Sequence, residues 1–436
     1  MTSVQRTAYR LFALTVLLLV VYAGLALLTA VKFLPGDPLA GALPYQQASP
    51  FANITLKLAI LTGLSGGGLY ILSVEGPADA RGRQRLLDLI GALWPIVIGA
   101  GLLTGLLGVF EGRAGLELPP LIDLLLAAAL ALTLIYVAEA SRRRTAFLFL
   151  WSVGLMTVLV GLLFDLFPAG DLIGAGVLRA LALGLITNIG QPLAALALLF
   201  WCMHRFSNVT LAWVRTGLHS TGGLLAIAGA LITVPSLYTL GITPPPGWLA
   251  LLGALFVLAA WLILAAHGYR ALADRNPSAT LAAHWTTLAL LLFLLGPALL
   301  GGLQIMPDAR AYTQGTRLTD LQHTLTLLAV VAAVLATINQ ASAELRGRNQ
   351  RVTGFIPLWL VGFGLVGATL ALGGAGIAQV YLERVLSVGY LETQTLIAPL
   401  YALWTLSLLL VTLGLAAYAL GFWARRPVER QWVDRV

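Results

Sequence analysis

The sequence has a single cysteine and few charged residues. Cys202 cannot form an internal disulfide, and one thiolate cannot build an iron–sulfur cluster or a cysteine-based metal site. Charged residues make up only 10% of the 436 residues, whereas hydrophobic residues make up 59%. This balance excludes a water-soluble fold, and we expect an all-α polytopic membrane protein that contacts the lipid bilayer.

Two common catalytic motifs and a nucleic-acid-binding pattern are absent as well. The chain has neither a G-x-x-x-x-G-K-[ST] phosphate-binding loop nor an H-E-x-x-H zinc motif. The net charge of +8 comes from short basic clusters between apolar runs, not from a continuous basic stripe. Nucleic acid is therefore not an expected partner, and the basic clusters instead report membrane topology.

Apolar runs long enough to cross a membrane recur along the whole chain. We expect twelve spans, each of about 20 residues or more. They lie near residues 10–33, 51–75, 86–109, 118–139, 145–167, 175–203, 208–237, 247–270, 280–305, 317–339, 354–380 and 395–423. Most of the 26 lysines and arginines fall on one side of this arrangement, which places both termini in the cytoplasm. The loops are short and no linker interrupts them, so residues 1–436 form one integral-membrane domain.

A polar cluster stands at the start of the tenth span. Asp320, Gln322, His323 and Thr324 follow the loop that contains Arg317. Ionisable groups inside a span usually mark a functional site, although a helix cap at Thr319 or Asp320 explains part of this cluster. On a helix, Gln322 and Thr324 point in nearly opposite directions.

Three stretches of the chain resemble one known family. Tyr312–Thr324, YTQGTRLTDLQHT, resembles an outer loop and helix start of the cytochrome b (large) subunit of bacterial nitric oxide reductase, in the haem–copper oxidase superfamily. Gly374–Gln394 is similar to the penultimate helix and exit loop of that family, and Leu43–Gly76 to its second span. The resemblance implies a bundle like haem–copper oxidase subunit I in a bacterial inner membrane, within a respiratory chain.

The resemblance also implies haem and iron ligands that this chain lacks. The positions that match the two low-spin haem histidines carry Asn53 and Thr324. The high-spin haem position carries Gln322, and one non-haem iron position carries Leu183. His323 stands where the family has a glycine. The resemblance therefore predicts a degenerate site with no catalytic residue, no metal and no cofactor, in which His323 is the remaining candidate haem contact.

Two functional hypotheses follow from this degenerate site. In the first, the chain is a haem-free, noncatalytic subunit of a larger respiratory complex. In the second, it carries one haem b through His323 and an unidentified axial group, and passes electrons. The sequence also leaves open a transporter or a quinone-binding module.

Lys57 and Asp320 are candidates to fill the space of the absent low-spin haem. Lys57 lies one turn from Asn53 on the second span, and Asp320 lies one turn before Thr324. We expect an ion pair between them, because an unpaired charge is costly in this environment. The alternative is that Lys57 extends to the lipid headgroups and Asp320 only caps its helix.

The exit segment of the eleventh span is a candidate docking surface. Tyr381, Glu383, Arg384 and Tyr390 bring aromatic and charged groups to the outer membrane surface. In the resembled family this side carries a cytochrome c subunit, so the resemblance implies a periplasmic partner of that kind. An interfacial helix held only by its own tyrosine and arginine contacts is the simpler alternative.

Overall fold

The computed structural model describes residues 1–36, 39, 41–76, 84–111, 117–141, 145–167, 172–236, 247–276, 280–346 and 353–424. Within these ranges the secondary structure is helical, apart from one isolated bridge between Ser207 and Arg275. The α-helices are α1 (Ser3–Val31), α2 (Tyr45–Glu75), α3 (Gln84–Leu107), α4 (Pro120–Ala140), α5 (Ala146–Leu166), α6 (Leu172–Leu183), α7 (Gln191–Phe206), α8 (Leu211–Ser236), α9 (Gly247–Ala273), α10 (Thr280–Phe293), α11 (Gly301–Ile305), α12 (Pro307–Thr313), α13 (Arg317–Arg346), α14 (Ile356–Gln379), α15 (Tyr390–Leu396) and α16 (Ala398–Ala424).

Eleven helices of the described chain are long and apolar enough to cross a membrane. They coincide with eleven of the twelve predicted spans, so a multi-pass helical bundle is confirmed. The remaining predicted span, residues 208–237, corresponds to α8. α8 carries Arg215 and His219, both exposed, and its assignment as a twelfth span stays a prediction.

Three π-helical segments occur in the described part of the chain. π1 (Gly184–Gly190) joins α6 to α7, π2 (Leu294–Leu300) joins α10 to α11, and π3 (Val380–Val385) follows α14. A π-helical turn adds a residue to the helix and rotates the side chains beyond it, and such turns are frequent at functional sites. Two of them, π1 and π2, border the cavity described below.

Polar contacts identify the two ends of the bundle. Arg346 Nη2 donates to the Phe422 carbonyl oxygen (3.0 Å) at the end that contains the N-terminus, which we call the proximal end. At the opposite, distal end the Arg317 guanidinium lies 4.5 Å from the centroid of the Phe33 ring.

Helix α2 is the centre of the bundle, and small residues allow its neighbours to approach. Its most apolar stretch is buried on all sides. A Cβ atom at Gly68 would collide with the Trp151 ring of α5, and one at Gly67 would lie 2.8 Å from Leu198 of α7. The glycines of α2 therefore serve close helix packing.

Candidate functional site

Arg317 organises the distal end of α13. Its Nη1 lies 2.9 Å from Asp320 Oδ2, and its Nε donates to the Tyr401 hydroxyl at 3.2 Å. Its backbone N–H donates to Gln379 Oε1 at 3.2 Å, so the first turn of α13 is also tied to α14. These contacts give Asp320 a cationic partner on its own helix.

Lys57 is buried within the bundle and does not extend from its surface. Only 7% of the residue is exposed, and its Nζ has no hydrogen-bond partner among the described residues. Its positive charge is attracted by three carboxylates, those of Glu117, Asp123 and Asp165. These carboxylates lie on α4, on α5 and in the segment before α4.

The expected ion pair between Lys57 and Asp320 is not formed. Neither a hydrogen bond nor a salt bridge joins these two described side chains, because Arg317 binds Asp320 from one turn away. Asp320 is 57% exposed, which is consistent with a partner at the edge of the bundle. Both residues nevertheless act electrostatically on His323, so they border the same region.

The side chain of Asn53 is hydrogen-bonded to a carboxylate. Its side-chain amide donates to Glu117 Oε1 at 3.3 Å, and Glu117 Oε2 is buried without a hydrogen-bond partner among the described residues. Burial raises the pKa of Glu117 above its ordinary value, while the nearby Lys57 charge and the Asn53 hydrogen bond oppose this rise. Glu117 therefore stays protonated up to a higher pH than an ordinary glutamate.

The side chain of His323 is exposed on α13. Its electrostatic neighbours are Lys57 and Asp320. His323 is the one histidine of the predicted polar cluster.

Three other histidines are held by aromatic rings. His267 stacks on Trp213 with ring centroids 4.3 Å apart, and His204 stacks on Phe147 at 6.2 Å. His284 lies edge-on to Phe355. Among the described residues, no group of three or more histidine, cysteine, aspartate or glutamate side chains could hold a metal ion.

Gln322 and Thr324 line separate cavities, as their rotation about the helix predicts. Gln322 borders a cavity of about 300 Å³, together with Thr187 and Trp261. Thr324 borders a space of only about 30 Å³ enclosed by side chains of α1, α13, α14 and α16. The described residues that enclose this smaller space include none from α2.

Leu183 lies at the last turn of α6, where π1 begins. Its carbonyl oxygen accepts a hydrogen bond from the Thr187 hydroxyl at 2.7 Å. The side chain is half-buried and is not among the described residues that line the larger cavity. Thr187 and Asn188, one turn later, line that cavity instead.

The exit-segment residues lie at the distal end, and three of the four are exposed. Tyr381 is 55% and Tyr390 is 59% exposed, and Arg384 is exposed on π3. Glu383 is half-buried and accepts a hydrogen bond from Gln379 Nε2 at 3.2 Å. The segment is thus an exposed surface. Gln379 connects it to Arg317, because Gln379 forms hydrogen bonds with both Glu383 and the Arg317 backbone.

Sequence reasoning missed several residues that border these regions. The acids around Lys57 come from α4, α5 and the segment before α4, none of which has a recognisable motif. Arg310 and Gln304 border the larger cavity from α12 and α11. Gly63–Gly67 also fits the G-x-S-x-G pattern, but its Ser65 is fully buried in the central helix. A general signal was available for the acids, since any ionisable residue within a span is a candidate functional residue.

No known protein-family model matches the chain.

Proposed function

We propose that this chain is a haem-free, noncatalytic relative of the nitric oxide reductase large subunit that acts within a larger respiratory complex of the bacterial inner membrane. The observation that carries the proposal is the separation of Asn53 from Thr324. The amide of Asn53 is bonded to Glu117, whereas Thr324 borders about 30 Å³ of space that no described α2 residue lines.

The residues at these positions do not fit a haem. A space of about 30 Å³ holds roughly one water molecule. Its described walls include Tyr22, Leu325 and Trp404, which occupy the region with large side chains. Neither an amide nor a hydroxyl supplies the imidazole that a bis-histidine haem requires.

The exposed exit segment supports a partner at the distal end. Tyrosine and arginine are enriched at protein interfaces, and Tyr381, Arg384 and Tyr390 expose these groups together. We assign this surface to a cytochrome c-like subunit, by the resemblance of Gly374–Gln394 to the family exit loop.

Site-specific photo-crosslinking in native membranes tests this assignment. A photoreactive residue at Tyr381 or Tyr390 should capture a haem-staining subunit of the c type. The matched control is Tyr269, which is 77% exposed on α9 near the proximal end and should capture no such subunit. Capture of that subunit only through Tyr269 would contradict the proposed docking surface.

A second candidate function is electron transfer through one haem b. The specific observation in its favour is the exposed side chain of His323 on α13. This candidate requires an axial group from His323 and a haem-sized space beside α2. The haem content of the purified chain distinguishes the two functions.

A further inference from the structure

Helix α2 carries a buried lysine one turn deeper than an exposed asparagine. Asn53 is exposed about two turns after the distal start of α2, and Lys57 lies about 6 Å further into the bundle along the helix. Only 7% of Lys57 is exposed, and its Nζ has no hydrogen-bond partner among the described residues. A lysine amine can lose its proton in a protein interior, whereas a guanidinium stays charged.

Glu117 connects Asn53 to the region of Lys57. Its Oε1 accepts a hydrogen bond from Asn53 Nδ2 at 3.3 Å, and its backbone carbonyl oxygen accepts one from the Glu111 N–H at 3.4 Å between α3 and α4. The charge of Glu117 acts on Lys57, although no hydrogen bond joins the two side chains. Lys57 Nζ and Glu117 Oε2 are thus two buried polar atoms of opposite charge, and each can form a further hydrogen bond.

The other two carboxylates near Lys57 have further interactions of their own. Asp123 of α4 and Asp165 of α5 are both buried, and each has an interaction partner besides Lys57. Glu117 is therefore the carboxylate of this group that can exchange a proton with Lys57. Its raised pKa lets it carry that proton at a pH at which an ordinary glutamate has lost it.

Helix α13 adds one titratable group that interacts with Lys57. This group is the His323 imidazole, on which the charge of Asp320 also acts. Helices α1, α3 and α7 also pack against α2, but their charged and histidine residues lie at the proximal end: Arg6, Arg10, Arg85, Asp88, His204 and Arg205. The titratable groups that influence a proton on Lys57 are therefore the three carboxylates and His323.

We propose that Lys57 is a proton-binding site that exchanges its proton with the distal aqueous phase through Glu117. In the inward step, the O–H bond of protonated Glu117 breaks and an N–H bond forms on the neutral Lys57 amine, which leaves a carboxylate and an ammonium. A bridging water carries the proton across a gap longer than a hydrogen bond. Glu117 then takes a proton from a hydronium ion of the distal phase, which becomes water. The reverse steps return the proton, and none of them depends on haem or on the docking surface.

Proton exchange at a buried site moves charge across part of the membrane, and a rapid pH step detects this movement. The full chain in liposomes on a solid-supported membrane should give a transient current when the external pH falls from neutral to acidic. Liposomes sorted by the accessibility of a C-terminal tag separate the two orientations. The transient should appear when the distal end faces outward, above the background of protein-free liposomes.

Variants assign the current to the two side chains. Lys57→Met and Glu117→Gln should each lose the transient, because one lacks the amine and the other lacks the carboxyl group. Lys57→Arg should lose it as well, because a guanidinium keeps the positive charge but does not release a proton. A purely structural charge at this position would be restored by Lys57→Arg. Glu392→Gln is the matched control, since it removes an exposed carboxylate at the distal end, and it should keep the transient.

The proposal is overturned if the parent chain gives no current above protein-free liposomes, or if the transient appears only when the proximal end faces outward. A parent-like transient in Lys57→Met or Lys57→Arg has the same consequence. If neither Lys57 variant folds, Glu117→Gln decides, and an undiminished transient in it overturns the proposal.

Discussion

Arg205 Nε lies 2.7 Å from Glu344 Oε1 and joins α7 to α13 at the proximal end of the bundle. The same carboxylate accepts hydrogen bonds from the Tyr70 hydroxyl at 2.9 Å and from Gln340 Nε2 at 3.0 Å. Glu344 thus connects three helices, including the central α2.

We expect the loss of Glu344 to destabilise the fold. Glu344→Ala should cost about 1–3 kcal/mol, since Arg205 and Glu344 are partly exposed and solvent weakens their attraction. Thermal unfolding in detergent measures this loss. Glu392→Ala, at an exposed distal position, is the control, and equal unfolding temperatures for the two variants would contradict the role of Glu344.

A pair of glycine substitutions tests the packing of α2. Gly68→Ala should destabilise by about 1–3 kcal/mol or more, because its Cβ would collide with the Trp151 ring. Gly99→Ala meets no atom within 4 Å and should be neutral or stabilising by up to about 1 kcal/mol. Unfolding temperatures in detergent compare them, and similar losses at both positions would argue against close packing at Gly68.

The structure predicts that Lys57 and Asp320 contribute separately to stability. Lys57→Met should be close to neutral, within about 1 kcal/mol, because the lost attraction to the carboxylates is offset by removing a buried ammonium that has no hydrogen-bond partner among the described residues. Asp320→Asn should cost about 0–1 kcal/mol, because its partner Arg317 forms an exposed ion pair with it.

A double-mutant cycle measures the coupling between these two residues. The combined Lys57→Met and Asp320→Asn losses should add within about 0.5 kcal/mol, whereas a cycle on Arg317 and Asp320 should show coupling. Strong coupling between Lys57 and Asp320 would instead support the pair that the sequence predicts.

The positions of the helices could be predicted, but the pairing of their charges could not. Apolar run length located α3 and α5 to within about two residues. It placed the start of α2 at residue 51 instead of Tyr45, because the first turn is polar. The partner of Asp320 is the cation that lies close to it in the folded structure. The sequence positions of Lys57 and Asp320 do not give the distance between their side chains.

The cavity and the π-helical segments could not be predicted from the sequence pattern either. Helical periodicity predicts that Gln322 and Thr324 point in opposite directions, because both residues lie on the same helix. It could not give the space between helices, which depends on α8 and α9 packing around Trp261. Nothing in the residues Gly184–Gly190 distinguishes a π-helical turn from an α-helical one before the neighbours are placed.

The raised pKa of Glu117 predicts a pH dependence of stability. The unfolded chain releases this proton at a lower pH than the folded chain, so the contribution of Glu117 is fully present below its ordinary pKa of 4.5. It is lost as the pH rises through the raised folded-state pKa. Glu117→Gln should therefore flatten the fall of the unfolding temperature above pH 4.5, as measured in detergent between acidic and neutral pH.

The control for this measurement is Glu392→Gln, which removes a carboxylate from an exposed position. Its pH profile should follow that of the parent chain. A Glu117→Gln profile that also follows the parent chain would show that Glu117 titrates alike in the folded and unfolded states.

The haem content of the purified chain tests the central claim most directly. A pyridine-haemochrome spectrum, scaled to protein concentration, should give well below one haem per chain, and His323→Ala should leave that value unchanged. About one b-type haem per chain, lost in His323→Ala, would contradict the account.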